Sequence, residues 1–110
     1  MLRIAQLSVH TCPLATLGGK ETGGMNVYVR DLSRELVRRG HRVDVYTRLQ
    51  DPTLPLISQA LGQGGRVIHV PAGPERPYPK HQVYNHLPEF VAGVLAQAGA
   101  DGITYDLIHS

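Results

Sequence analysis

The run LRIAQLSVHTCPLATLGGKETGGMNVYVRDLSRELVRRGHRVDVYTR, Leu2 to Arg48, decides the fold. Near its middle, Met25, Tyr28, Val29, Leu32 and Leu36 recur at spacings of three and four, which lines one face of a helix starting at Gly24. Glu35 is placed to pair with Arg38 or Arg39 one turn on, on the solvent side. Gly40 is a natural stop, because it adopts the left-handed conformation that closes a helix at no steric cost. On the N-terminal side, Leu2 to Val9 is apolar-rich and ends at the His10-Thr11-Cys12-Pro13 break, which predicts a buried parallel strand. On the C-terminal side, Arg42 to Thr47 alternates and is rich in β-branched residues, which predicts a second strand. These pieces form one strand–loop–helix–strand unit.

The remainder continues the alternation. Asp51-Pro52 breaks the chain, and Pro55 to Leu61 is expected to hold a short helix. Gln63-Gly64-Gly65 is a turn, and Arg66 to Val70 is a third strand. Pro71 to Pro79 contains four prolines and is excluded from regular structure, since each lacks an N–H. Leu87, Phe90, Val91, Val94, Leu95 and Ala98 make a second amphipathic face, with Pro88 tolerated in the first turn and Gly99 as the expected end. Tyr105 to His109 opens a fourth strand. Alternating strands and helices imply an α/β fold, a Rossmann-like parallel sheet with helices on both faces. Right-handed crossovers predict the strand order 3-2-1-4.

That order places a candidate site. The sheet reverses direction between its first and fourth strands, and ligands bind beyond the strand C-termini at such a switch point. His10 follows the first strand and His109 ends the fourth, so the topology brings both to one crevice. Lys80, in the proline-rich loop after the third strand, emerges on the same side and offers positive charge to an anionic ligand. Doubly wound domains usually have about five or six strands. Residues 1–110 are therefore expected to be a partial N-terminal domain, or else a domain that pairs its open edge in a homodimer.

Composition narrows the classes. The chain of 110 residues is one domain or less, with formal charge +2. Its densest basic cluster, Arg38-Arg39-Gly40-His41-Arg42, flanks the first helix end, where cations complement the macrodipole. With five Tyr, one Phe and no Trp, none interleaved with that cluster, no nucleic-acid footprint is present. Cys12 is alone, so no internal disulfide forms, and a cytoplasmic location is expected. The first residues are too short and too alternating for a secretion signal, and no window is long enough for a transmembrane segment.

The loop from His10 to Gly23 is longer than a simple connection needs. Gly23-Gly24 sits where it becomes helix. Unpaired N–H groups and the positive dipole end lie there, and glycine lets a ligand approach the backbone, which suits a phosphate or a sugar hydroxyl. Asn26 adds a hydrogen-bonding amide in the first turn. The P-loop pattern fails, because Gly19-Lys20 is followed by Glu21 and position 14 is Leu. The dinucleotide pattern GxGxxG and the nucleophile elbow GxSxG are absent. His41, His69, His81 and His86 have no metal-like spacing, and no metal is assigned. Asp31 and Glu35 fall on the exposed face of the first helix, so no carboxylate pair for acid–base chemistry is present. The residues read as a binding half rather than a complete catalyst.

The run from Ser8 to Arg48 resembles the start of a family 4 retaining glycosyltransferase, a two-domain enzyme of the GT-B fold. The likeness resumes at PAGP (Pro71 to Pro74), at Lys80 and at YDLIHS (Tyr105 to Ser110). The D-inositol-3-phosphate glycosyltransferases and the sucrose-phosphate-synthase-like proteins are the groups it is most similar to. The resemblance implies an acceptor-binding N-terminal domain, with the donor-binding C-terminal domain absent from these 110 residues. It implies transfer of a sugar from a nucleotide diphosphate sugar, as co-substrate, to a hydroxyl acceptor with retention of configuration, and no cofactor. It also implies a sugar-phosphate or inositol-phosphate-like acceptor. His10, Glu21, Thr22, Gly23, Asn26 and His109 would contact that acceptor, Lys80 would pair with its phosphate, and Gly24 would also meet the donor phosphates. Gly24 and His10 are the implied catalytic positions. Front-face attack within an ion pair needs no protein nucleophile, so catalysis reduces to positioning and to stabilising the departing diphosphate. The isolated fragment is expected to be inactive. The competing expectation is a free-standing flavodoxin-like binding module without catalytic activity.

Overall fold

A computed structural model describes residues 1–9, 24–50, 53, 55–59, 61–74 and 80–109. Strand β1 spans Arg3–Leu7, helix α1 Gly24–Arg38, β2 Arg42–Arg48, β3 Ile57–Ser58 and β4 Gly65–Val70. Helix α2 spans Lys80–Val83 and is followed by a single 3-10 turn at Tyr84–His86. Helix α3 spans Leu87–Asp101 and β5 Leu107–His109.

The sheet order is β3-β4-β2-β1-β5. Four strands are parallel, with Ile4 opposite Val43 on one side and Leu107 on the other, and Val45 opposite Val67. Their order is the 3-2-1-4 arrangement expected from right-handed crossovers. The fifth strand corrects an expectation. In place of a short helix over Pro55 to Leu61, Ile57–Ser58 runs antiparallel along the free edge of β4. That edge offers donors that a one-turn helix could not match. The His69 N–H donates to the Leu56 carbonyl at 2.7 Å, and Leu61 turns inward.

Strand alternation sorts the core into two layers. Ile4, Val43, Val45 and Val67 face α1, where Val29 is buried and Leu36 and Val37 cover them. Ala5, Tyr46, Ile68 and Val70 face α3, where Phe90 is buried and Val94 packs beside it. Each helical stripe is narrower than the periodicity predicts. Tyr28 of α1 is exposed, as are Val91 and Leu95 of α3. Strand β5, which borders that layer, is only three residues long, and Leu107 and Ile108 are themselves exposed.

Both long helices end on a left-handed glycine. At Gly40 (φ 94°) the glycine N–H donates to the Val37 carbonyl and the His41 N–H to that of Leu36. At Gly102 (φ 65°) the pairs are Gly102 to Gly99 and Ile103 to Ala98. These are Schellman closures, which satisfy carbonyls the helix leaves open. Gly99 is thus not the end of the second long helix. It lies inside α3, with nothing within 4 Å of where a Cβ would sit.

A polar cluster ties α3 to the N-terminal end of the sheet. Arg66 donates twice to Asp44, at 2.8 and 2.9 Å, and once to Asp101 at 3.0 Å. The Tyr105 hydroxyl donates to Asp44 at 2.6 Å and lies 2.5 Å from the Tyr46 hydroxyl, the two rings meeting edge to face. The hydrogen bonds to Asp44 hold the Arg66 guanidinium above its ordinary range, and burial pushes both phenols up.

Candidate functional site

Parallel strands all deliver their C-termini to one edge, and the helices that follow start there. Helix α1 begins at Gly24 and α2 at Lys80, so both backbones sit at the edge where β5 ends at His109. Lys80 is therefore the first residue of a helix, not a loop residue as expected, because the ban on regular structure stops with the last proline at position 79. Asn26 lies in the first turn of α1, as expected. His10, Glu21, Thr22 and Gly23 lie outside the described residues.

His109 has the most explicit surroundings. Its register partner on β1 is Gln6, and their side chains share the face covered by α1. His109 Nδ1 lies 2.7 Å from Gln6 Oε1. The Gln6 amide nitrogen donates to Ser33 Oγ of α1 at 3.3 Å. Gln6 and Ser33 are buried, whereas His109 is exposed. A buried carboxamide needs partners for both its ends, and Ser33 and His109 supply them.

Two further groups shape this edge. Arg48, at the end of β2, is 1% exposed, and its guanidinium donates to the carbonyls of Ala72 and Pro74. It pins the loop after β4, which contains the PAGP stretch. Gly73 in that loop has φ 70°, and an added Cβ would come within 2.6 Å of the His86 ring. Glu89 accepts from the Gly73 N–H at 3.1 Å and pairs with His86 at 3.0 Å. Those contacts, His86 first, hold its carboxyl below the usual range.

Gln6 and Arg48 escaped the sequence reasoning. Each is a polar residue at a strand position that alternation assigns to a covered face, and that conflict was the available signal. His69 shows the same conflict. It is buried against the Pro55 carbonyl, 2.8 Å from Nδ1, and burial lowers its pKa.

A cavity of about 790 Å³ opens at the opposite, N-terminal end of the sheet, lined by Arg3, His41, Arg42, Gln63, Arg66 and neighbouring residues. Its polar cluster is committed to holding α3, and it lies away from the edge where the topology gathers His109, Gly24 and Lys80. Among the described residues no three His, Cys, Asp or Glu side chains group as metal ligands, and no helix is long and apolar enough to cross a membrane.

Comparison with known proteins identifies the family. A profile described as Glycosyltransferase Family 4 matches residues 22–110. A D-inositol 3-phosphate glycosyltransferase of Xylanimonas cellulosilytica is 45% identical over 109 residues, covering 98% of this chain and 26% of that protein. Another, from Catenulispora acidiphila, is 44% identical over 98% of this chain and 25% of its own length. A solved sucrose-phosphate synthase from Thermosynechococcus elongatus superposes with a TM-score of 0.90 at 37% identity, over 99% of this chain and 27% of that one. The chain thus spans about a quarter of the length of the proteins it is similar to.

Proposed function

This chain belongs to glycosyltransferase family 4, and from that premise we propose that it is the acceptor-binding part of an enzyme that moves a sugar from a nucleotide diphosphate sugar to a hydroxyl of a small acceptor, with retention of configuration. What supports the proposal is the topology: β5 ends at His109, α1 starts at Gly24 after β1 and α2 starts at Lys80 after β4, and connections that follow parallel strands leave from the C-terminal edge of the sheet. Chemically these are an amide-lined positive dipole end, a cation and a hydrogen-bonding imidazole. The first suits a departing diphosphate, the second an acceptor phosphate, and the third an acceptor hydroxyl. His10, Glu21, Thr22, Gly23 and Asn26 complete the acceptor wall in this reading. A phosphorylated sugar or inositol is the acceptor class, supported by the relatives whose names specify D-inositol 3-phosphate.

The remaining parts of the proposal follow from the same chemistry. Positioning and diphosphate stabilisation require neither a resident metal nor a cofactor. The donor-binding domain, the cytoplasmic location and a homodimer belong to the same reading. The flavodoxin-like alternative loses its basis with the family membership.

The test is transfer by the full-length protein across a panel of nucleotide sugars and phosphorylated acceptors, with the product anomer assigned by NMR. Gly24→Val is expected to abolish transfer, by blocking backbone approach, while the far-ultraviolet circular dichroism stays unchanged. Turnover at the wild-type rate in that variant would overturn the assignment of the loop.

A further inference from the structure

We propose that Gln6 is a positioning residue for His109: its side-chain oxygen holds the imidazole in the Nδ1–H tautomer, leaving Nε2 as an acceptor for a substrate hydroxyl. The substrate half of this statement rests on the reading of His109 as an acceptor-binding residue; the tautomer half does not.

The geometry is specific. Gln6 is the fourth of the five residues of β1, a strand flanked on both sides by parallel neighbours, at a position that is 3% exposed. An apolar residue would satisfy that site by packing alone. A glutamine there has to be paired at both ends of its amide, and it is. The nitrogen end goes to Ser33 Oγ, on a residue with no exposure, and the oxygen end goes to His109 Nδ1 at 2.7 Å. An amide oxygen only accepts, so Nδ1 carries the hydrogen. A free imidazole in water prefers its hydrogen on Nε2, so Gln6 imposes the less favoured form. In that form the nitrogen left with a lone pair is Nε2, and the ring that bears it is exposed at the C-terminal edge of the sheet.

The consequence is polarity. An acceptor alcohol reaching His109 donates its hydrogen to Nε2, which orients an oxygen lone pair outward, toward an electrophile. With the opposite tautomer the imidazole would itself donate to that oxygen and occupy the lone pair that attacks. Gln6 touches no substrate in this account. Its effect passes entirely through the ring it holds.

The experiment is long-range ¹H–¹⁵N spectroscopy of the full-length protein labelled at histidine, at a pH where the imidazoles are neutral, with His109 assigned by His109→Asn. Wild type is expected to show His109 protonated at Nδ1. Gln6→Met, apolar and of similar length, is expected to return it to Nε2–H. Gln6→Glu, which keeps an accepting oxygen, is expected to preserve Nδ1–H. A wild-type Nε2–H signal, or a tautomer unmoved in Gln6→Met, overturns the proposal. Were Gln6→Met not to fold, the wild-type signal would still decide. In transfer assays Gln6→Met is expected to raise the acceptor KM at least tenfold with a smaller change in kcat, and Gln6→Glu to restore it. A tautomer that flips while the acceptor KM stays put overturns the contact between His109 and the acceptor, and leaves the positioning of the ring standing.

Discussion

Gly93 of α3 and Val70 of β4 meet with no room for a side chain between them: a Cβ at residue 93 would sit 2.3 Å from Val70 Cγ1. The helix axis is therefore set by one hydrogen atom's worth of space. Gly93→Ala gains about 1 kcal/mol of helix propensity. It also overpacks a β-branched neighbour, at about 1–3 kcal/mol. A net destabilisation of up to about 2 kcal/mol is expected in urea unfolding. Val70→Ala combined with Gly93→Ala is expected to cost less than the sum of the single changes, by more than about 0.5 kcal/mol.

Asp44 is the acceptor on which Arg66 and Tyr105 converge. Asp44→Asn keeps one accepting oxygen for Tyr105 but removes the charge opposite a guanidinium that is mostly shielded from solvent. Hydrogen bonds to charged groups contribute about 1.5–3 kcal/mol each, and a loss within that range is expected in equilibrium unfolding. Asp101→Asn leaves the two-point contact with Asp44 in place and is expected to cost less than about 1 kcal/mol. Equal losses at the two positions would show that the pairing with Asp44 is not what anchors α3.

His69 makes stability depend on pH. Its buried ring has a pKa lowered from the ordinary value of 6.5, desolvation being the larger cause. A base whose pKa is lower in the folded state binds fewer protons there than in the unfolded chain, so stability rises with pH through the interval between the two values. The contribution is complete above 6.5 and is lost as pH falls toward the folded-state value. His69→Gln is expected to flatten that part of the profile relative to wild type, measured as the urea midpoint from neutral pH downward. Parallel profiles for the two proteins would refute it.

Gly73 couples loop shape to a carboxylate. Its φ of 70° and the His86 ring, 2.6 Å from where a Cβ would sit, both oppose a side chain. Gly73→Ala is expected to destabilise by about 1–3 kcal/mol through backbone strain. The same change displaces the N–H that donates to Glu89, one of the causes holding that carboxyl below its ordinary range. The Glu89 pKa, followed by carboxyl-carbon NMR, is expected to move upward in the variant.

Local pattern sufficed for much of this protein. The period of α1, the alternation in β2, the left-handed glycine at Gly40 and the parallel order of four strands all follow from interactions between residues near in sequence plus the handedness of crossovers. The placement of His109 at the C-terminal edge of the sheet was legible for the same reason, because the strand order alone sends it there. What local pattern could not decide was which competing partner wins. Ile57–Ser58 lies extended because the edge of β4 is free, a fact about a strand that comes later in the chain. Gly99 and Gly102 both invite a helix end, and only the second finds its closing donors in register. Gln6 and Arg48 are polar residues that a hydrophobic pattern counts as interruptions. Their partners, His109 at the far end of the chain and the carbonyls of Ala72 and Pro74, exist only once the strands are side by side. Sequence patterns report the free energy of solvation face by face. Directional bonds between distant residues form only after the fold has brought donor and acceptor together, so those were left to tertiary structure.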